Sequence, residues 1–132
     1  MKIKSFFFLF LILSSCSSDN MEQLKIIIDK ELPNKVNNGF VIVVAEYDCK
    51  SCLQNIIEYN KSIINKNDVF GILYHTKPLG FELKKLITRT KNKIKWHQTS
   101  SIELMDILSS VFQNGPYLIE IKDNIIFSIE RI

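Results

Sequence analysis

The sequence has few glycine, proline and cysteine residues. Its 132 residues include 4 Gly, 3 Pro and 3 Cys. So few chain-breaking residues exclude a low-complexity linker of any size, and no segment recurs with a period of roughly 20 to 50 residues. A chain of this length in which 46% of the residues are hydrophobic fits a single globular domain.

No apolar run reaches the length of about 20 residues that a membrane-spanning helix needs. The run from Phe6 to Leu13 is far shorter. It follows Lys2 and Lys4 and is followed by small residues, which is the layout of a secretory signal peptide. We therefore expect residues 1–15 to be a signal peptide.

The tetrapeptide Leu13-Ser14-Ser15-Cys16 resembles the lipobox of bacterial lipoproteins. This resemblance implies that Cys16 is lipidated, that residues 16–20 are a lipidated tether, and that residues 21–132 form the domain. Acyl chains contribute roughly 0.8 kcal/mol per buried methylene, so several chains would hold the protein on a membrane. The expected location is the bacterial cell envelope, facing the periplasm or the exterior. The alternative is ordinary cleavage near Ser15, which would leave a free thiol on Cys16.

A strong excess of charge is also missing. The net charge is +3, and removal of residues 1–15 would leave 15 basic and 14 acidic side chains, a net charge of +1. A nearly neutral domain gives no electrostatic reason to expect nucleic acid as a partner. The basic stretch from Lys84 to Lys95 is interpreted as a solvated helix face and the turn that follows it.

The motifs of several enzyme classes are absent. No Ser-His-Asp signature, phosphate loop or paired-carboxylate motif stands out. One C-x-x-C motif is present, at Cys49 and Cys52, with no second C-x-x-C or His-x-x-His to complete a metal site. His75 or His97 could add a third ligand, but a turn position and a packing position are the favoured interpretations.

The apolar pattern predicts alternating helices and strands. Residues 21–32 have a helical stripe that Pro33 ends. Residues 40–47 are predicted to form a central strand buried on both faces, because they are rich in β-branched residues and show little alternation. A helix starting at Cys49 and a strand over residues 69–75 complete a strand-helix-strand unit.

The remaining half of the chain continues this pattern. A helix is predicted from about Pro78, and a short extended piece over residues 94–97. An amphipathic helix is predicted after a capping box formed by Ser100 and Glu103. Residues 117–121 and 125–129 are predicted to form a β-hairpin.

The position of the C-x-x-C motif has chemical consequences. The N-terminus of a helix has free N–H groups and a partial positive charge, and both stabilise a thiolate on Cys49. Cys52, one turn further on, is close enough to form a disulfide with Cys49 or to resolve a mixed disulfide. Asp48 is the predicted N-cap of this helix. The pair could therefore exchange two electrons with another dithiol.

This arrangement resembles the thioredoxin family, and more loosely its membrane-tethered members. The motifs are Cys49-Lys50-Ser51-Cys52 after a central strand, and Gly115-Pro116 before a terminal hairpin. The resemblance implies an α/β, thioredoxin-like fold with a central mixed sheet of four to five strands flanked by helices. It implies catalytic roles for Cys49 and Cys52, and a substrate groove at Gly115 and a cis-Pro116. No cofactor is implied, because the sulfur atoms carry the electrons.

The sequence also departs from that family. Asp48 replaces the usual tryptophan before the first cysteine, and Gly115 replaces the commoner threonine. Asp48 and Lys50 should modulate the pKa of the Cys49 thiol in opposite directions, since a carboxylate disfavours the thiolate and an ammonium favours it. The expected partners are protein thiols and disulfides of the envelope and an unidentified redox partner. The alternative is a non-catalytic binding module that holds a metal such as copper or a protein, with a structural disulfide.

Overall fold

The structure is a computed structural model that describes residues 20–63, 69–111 and 114–132. The predicted signal peptide, the predicted lipidation site at Cys16 and most of the predicted tether lie outside the described residues. Among the residues that are described, no helix has the length and apolar character needed to cross a membrane.

Five strands form one mixed sheet, as expected for an α/β fold. The strands are β1 (Gly39–Ala45), β2 (Val69–Tyr74), β3 (Ile94–Thr99), β4 (Tyr117–Lys122) and β5 (Ile125–Arg131). Their order in the sheet is β3-β2-β1-β4-β5. The first three strands run parallel to one another, whereas β4 is antiparallel to β1 and β5 is antiparallel to β4.

Four helices cover the two faces of this sheet. They are α1 (residues 20–31), α2 (Lys50–Ile63), α3 (Phe81–Thr90) and α4 (Ile102–Val111). Buried side chains of α1 and α4 share one core cluster, and those of α2 and α3 share the other. Within the described chain, the domain therefore has three layers with the sheet in the middle.

The central position of β1 explains its unbroken apolar sequence. Val41 and Val43 belong to the core beneath α1 and α4, whereas Ile42 and Val44 belong to the core beneath α2 and α3. Successive side chains of a strand point to opposite faces, so a strand covered on both sides needs apolar residues at every position. The prediction of a buried central strand is confirmed.

Several predicted boundaries are wrong by two or three residues. The strand predicted over residues 40–47 ends at Ala45, because the chain turns at Glu46 and Tyr47. The helix predicted from about Pro78 begins at Phe81, with Gly80 as its N-cap.

The capping box predicted from Ser100 and Glu103 is also shifted. The side-chain oxygen of Ser101 accepts a hydrogen bond from Leu104 N at 3.4 Å, which makes Ser101 the N-cap of α4. Adjacent serines allow the helix to start at either one. The hydroxyl of Thr99, the last residue of β3, accepts a hydrogen bond from Ser101 N and so fixes the turn between strand and helix.

Helix α1 buries the stripe that its sequence predicts, together with one charged residue. Lys25 is only 6% exposed. Its ammonium group lies 2.6 Å from Asp29 Oδ2 and donates to Asn124 Oδ1 at 2.9 Å. Asn124 lies in the β4–β5 turn with a φ of 65°. A buried cation needs such partners, and here they tie the first helix to the last hairpin.

Candidate functional site

Cys49 and Cys52 form a disulfide at the start of α2. The S–S distance is 2.02 Å and the two Cα atoms are 5.1 Å apart. Cys49 is exposed and Cys52 is partly buried. The pair lies just after the turn that ends β1, at the carboxyl end of the parallel strands.

Cys49 is the residue that caps the helix. Its carbonyl accepts a hydrogen bond from Leu53 N at 3.0 Å, and its Sγ atom lies 3.1 Å from Cys52 N. The hydroxyl of Ser51 lies 3.4 Å from the same sulfur. An N–H group of the first helical turn is therefore directed at Cys49 Sγ, where it would stabilise negative charge on the reduced thiol.

Asp48 is not the N-cap that the sequence predicts. Its Oδ2 atom accepts a hydrogen bond from Ala45 N at 2.8 Å, and its own N–H donates to Ala45 O at 3.0 Å. The carboxylate thus closes the turn between β1 and α2, and the capping position passes to Cys49. Burial raises the pKa of Asp48, while the Ala45 hydrogen bond and the charge of Arg131 act in the opposite direction.

Lys50 points to α3. Its ammonium lies 3.5 Å from Glu82 Oε1, and both side chains are exposed, at 78% and 37%. An exposed pair of this kind contributes little to stability. Its structural effect is to link the first turn of α2 to the first turn of α3.

Gly115 and Pro116 lie at the same end of the sheet as the cysteines. The antiparallel register pairs Tyr117 with Val43, which brings the residues before Tyr117 to the carboxyl end of β1. The Gly115–Pro116 peptide bond is cis. A Cβ atom on Gly115 would be 3.4 Å from Asp48 Oδ2, so the Asp48 carboxylate lies between the C-x-x-C turn and this loop.

Sequence reasoning did not identify two further residues of this region. Tyr117 is buried, and its pKa is raised by burial and by the nearby Tyr47 and Asp48, while Arg131 acts to lower it. Arg131 is the register partner of Tyr117 on β5. No local sequence signal marks either residue, because only strand pairing brings them to the site.

Two tyrosines, Tyr47 and Tyr74, lie beside the turn that precedes Cys49. Tyr47 is 62% exposed, whereas Tyr74 is half-buried and packs against the core. Their rings make an edge-to-face contact with centroids 6.3 Å apart. Burial raises the pKa of Tyr47, with smaller effects from Asp48, Tyr74 and Glu46. An exposed aromatic ring thus stands two residues before Cys49.

Glu46 ties the turn after β1 to the loop after β2. Its carboxylate accepts from the hydroxyl of Thr76 at 2.7 Å and from Lys77 N at 3.3 Å. The hydrogen bond from Thr76 is the main reason why the pKa of Glu46 is lowered. These contacts hold the two loops together beside the disulfide.

The side chain of His75 makes its hydrogen bonds with oxygen atoms, not with the two sulfur atoms. His75 Nδ1 donates to Lys77 O at 2.9 Å, and its Nε2 lies 2.7 Å from Gln98 Oε1. His97 lies on the edge strand β3 and is partly exposed. In the part of the chain that the structure describes, no three His, Cys, Asp or Glu side chains are grouped so that they could hold a metal ion.

Comparison of the chain with protein-family models, with curated proteins and with solved structures finds no match.

Proposed function

We propose that this protein is a thioredoxin-like thiol-disulfide oxidoreductase of the bacterial cell envelope. The observation that carries the proposal is the exposed residue Cys49 at the N-terminus of α2, joined by a disulfide to Cys52. The C-x-x-C turn and the cis Gly115–Pro116 loop at one end of a mixed sheet support the resemblance to the thioredoxin family.

The proposed reaction passes two electrons from the reduced Cys49–Cys52 dithiol to a disulfide of a partner protein. In the reduced protein, the Cys49 thiolate attacks one sulfur of a partner disulfide, which forms a mixed disulfide and releases the other partner sulfur as a thiolate. The Cys52 thiolate then attacks Cys49 Sγ, which restores the Cys49–Cys52 disulfide and releases the second partner thiol. The partner is reduced and the protein oxidised. A second envelope dithiol, acting as the redox partner, reverses these steps on the protein.

The difference in exposure supports these two roles. Cys49 is exposed and can be reached by a partner disulfide, whereas Cys52 is partly buried and lies where it can attack the mixed disulfide from within. A bridge that closes so short a loop does little to restrict the unfolded chain. Stability alone is therefore a weak reason for this disulfide.

The proposal includes attachment to a membrane through Cys16. Its support is the lipobox-like sequence Leu13 to Cys16 after a short apolar run. Protein thiols and disulfides of the envelope are the proposed partners, with Gly115 and Pro116 forming the groove for a partner strand.

Reduction of a protein disulfide such as that of insulin tests the proposal. The full-length chain with Cys16→Ser, in mild detergent, should catalyse reduction by a small dithiol. Adding Cys49→Ser should abolish turnover, and adding Cys52→Ser instead should trap a mixed disulfide. Equal rates with and without Cys49 would exclude the oxidoreductase. Stoichiometric copper(I) uptake by the reduced protein without turnover would identify a binding module instead.

A further inference from the structure

A groove begins at the C-x-x-C turn and runs between α2 and α3. Its volume is about 490 Å³. Three apolar side chains, Leu53, Ile57 and Leu86, form its floor, and three charged ones, Lys50, Glu82 and Lys85, form its rim. Leu53 and Leu86 also belong to the core cluster beneath these helices, so the floor is fixed by core packing.

The rim carries an excess of positive charge. Lys50 pairs with Glu82 across the groove at 3.5 Å. Among the described residues no ion pair engages Lys85, which is partly buried on the same helix as Glu82. A partly buried ammonium above an apolar floor attracts an acidic group more strongly than a fully solvated one does.

The groove is continuous with the redox pair. Lys50 follows Cys49 in the chain and also lines the groove. An extended chain advances about 3.3 Å per residue, so a partner segment bonded to Cys49 has its next few residues within reach of the groove. The walls of the groove lie on two helices, which hold them in fixed positions.

We propose that this groove selects the protein partners of the exchange reaction. The favoured partner segment carries an apolar and an acidic side chain within a few residues of its reacting cysteine. The apolar side chain lies on Leu53, Ile57 and Leu86, and the acidic one pairs with Lys85. This inference rests on the proposed oxidoreductase function and adds the class of substrate.

The test uses three peptides that differ only in the residues three positions to either side of a single cysteine. Both of these positions hold glutamate in the first peptide, glutamine in the second and lysine in the third. In all three peptides a leucine stands next to each of these positions. Each cysteine is joined in a disulfide to thionitrobenzoate. Reaction with the reduced full-length protein carrying Cys16→Ser gives the protein disulfide, the peptide thiol and the coloured thionitrobenzoate, whose absorbance gives the second-order rate constant.

The glutamate peptide should react about three- to tenfold faster than the lysine peptide at low salt, and the difference should shrink at high salt. Lys85→Glu should abolish or reverse this order. Lys84→Glu is the matched control, since it makes the same charge change on an exposed residue outside the groove and should preserve the order.

Equal rates for the three peptides, or equal loss of the preference in both variants, would overturn the groove assignment. Insulin reduction separates the two proposals. If insulin is reduced but the three peptides react at equal rates, only the proposed substrate class is wrong. If neither insulin nor any peptide reacts, the oxidoreductase fails, and the substrate class fails with it.

Discussion

The indole ring of Trp96 on β3 lies against the Cα atom of Gly71 on β2. A Cβ atom at Gly71 would be only 2.3 Å from Trp96 Cε3. The two residues are register partners on parallel strands, and Trp96 packs against the core beneath α2 and α3. The edge strand is therefore held partly by a ring that fits only beside glycine.

Gly71→Ala should destabilise the fold by about 1–3 kcal/mol, because the ring must move out of a packed core. Urea unfolding, followed by the fluorescence of Trp96, measures the change. Gly80→Ala is the matched control, since no atom lies within 4 Å of a Cβ there, and it should cost less than about 1 kcal/mol. Equal costs at the two glycines would contradict the packing argument.

Thr90→Val should destabilise the protein by about 1–3 kcal/mol. The buried hydroxyl of Thr90 accepts from Trp96 Nε1 at 2.8 Å and donates to Leu86 O at 2.7 Å. Valine has nearly the same shape and leaves the indole N–H without this acceptor. Thr90→Ser keeps the hydroxyl and should recover much of the loss in thermal unfolding. A serine variant no more stable than the valine variant would show that the lost methyl contacts dominate.

Asp48→Asn should change how stability depends on pH. Burial raises the pKa of Asp48 in the folded chain above the ordinary value of 3.8, so the folded state binds a proton more tightly than the unfolded state. The contribution of the bound Asp48 proton to the stability of the fold is complete below the ordinary pKa. It is lost as the pH rises through the pKa that Asp48 has in the folded chain. The asparagine variant keeps an oxygen for Ala45 N–H, so it should be more stable than the wild type at pH 7.

This advantage should shrink as the pH falls to 3.8 and below. Denaturation in urea over a series of pH values measures it. A difference that stays constant, or grows in acid, would contradict the sign of the Asp48 shift.

Asp48→Asn and Lys50→Gln should change the reactivity of the reduced Cys49 thiol in opposite directions. Removing the carboxylate favours the thiolate, and removing the ammonium disfavours it. We expect alkylation by iodoacetamide at pH 7 to be roughly two- to tenfold faster in the first variant and slower in the second. Mass spectrometry of the Cys49 peptide measures each rate. Changes of the same sign in both variants would exclude a local electrostatic effect.

Patterns that depend on neighbouring residues predicted most of the fold. The buried stripe of α1 follows from the spacing of its apolar residues, and the buried strands β1 and β2 follow from their apolar runs. β3 was predicted only over residues 94–97, whereas it extends to Thr99. It is an edge strand with one open side, so polar residues such as Lys95 and Gln98 interrupt its apolar pattern.

Sequence spacing does not determine which hydrogen-bond partners the polar side chains have. The Asp48 carboxylate could have accepted from the first turn of α2 or from Ala45, and turn geometry decides in favour of Ala45. Burial of Lys25 could not be predicted either, because its partner Asn124 is 99 residues away in the chain. The catalytic roles of Cys49 and Cys52 stay predictions.

The antiparallel pairing of β1 with β4 also determines when the site is complete. The turn that holds Cys49 and Cys52 is made early in synthesis, and Pro116 is made near the end. Until the last hairpin has been translated and paired, β1 has an open edge and the two thiols have no loop beside them. A nascent chain that is still emerging thus carries reactive sulfur without the loop that is proposed to bind a partner strand.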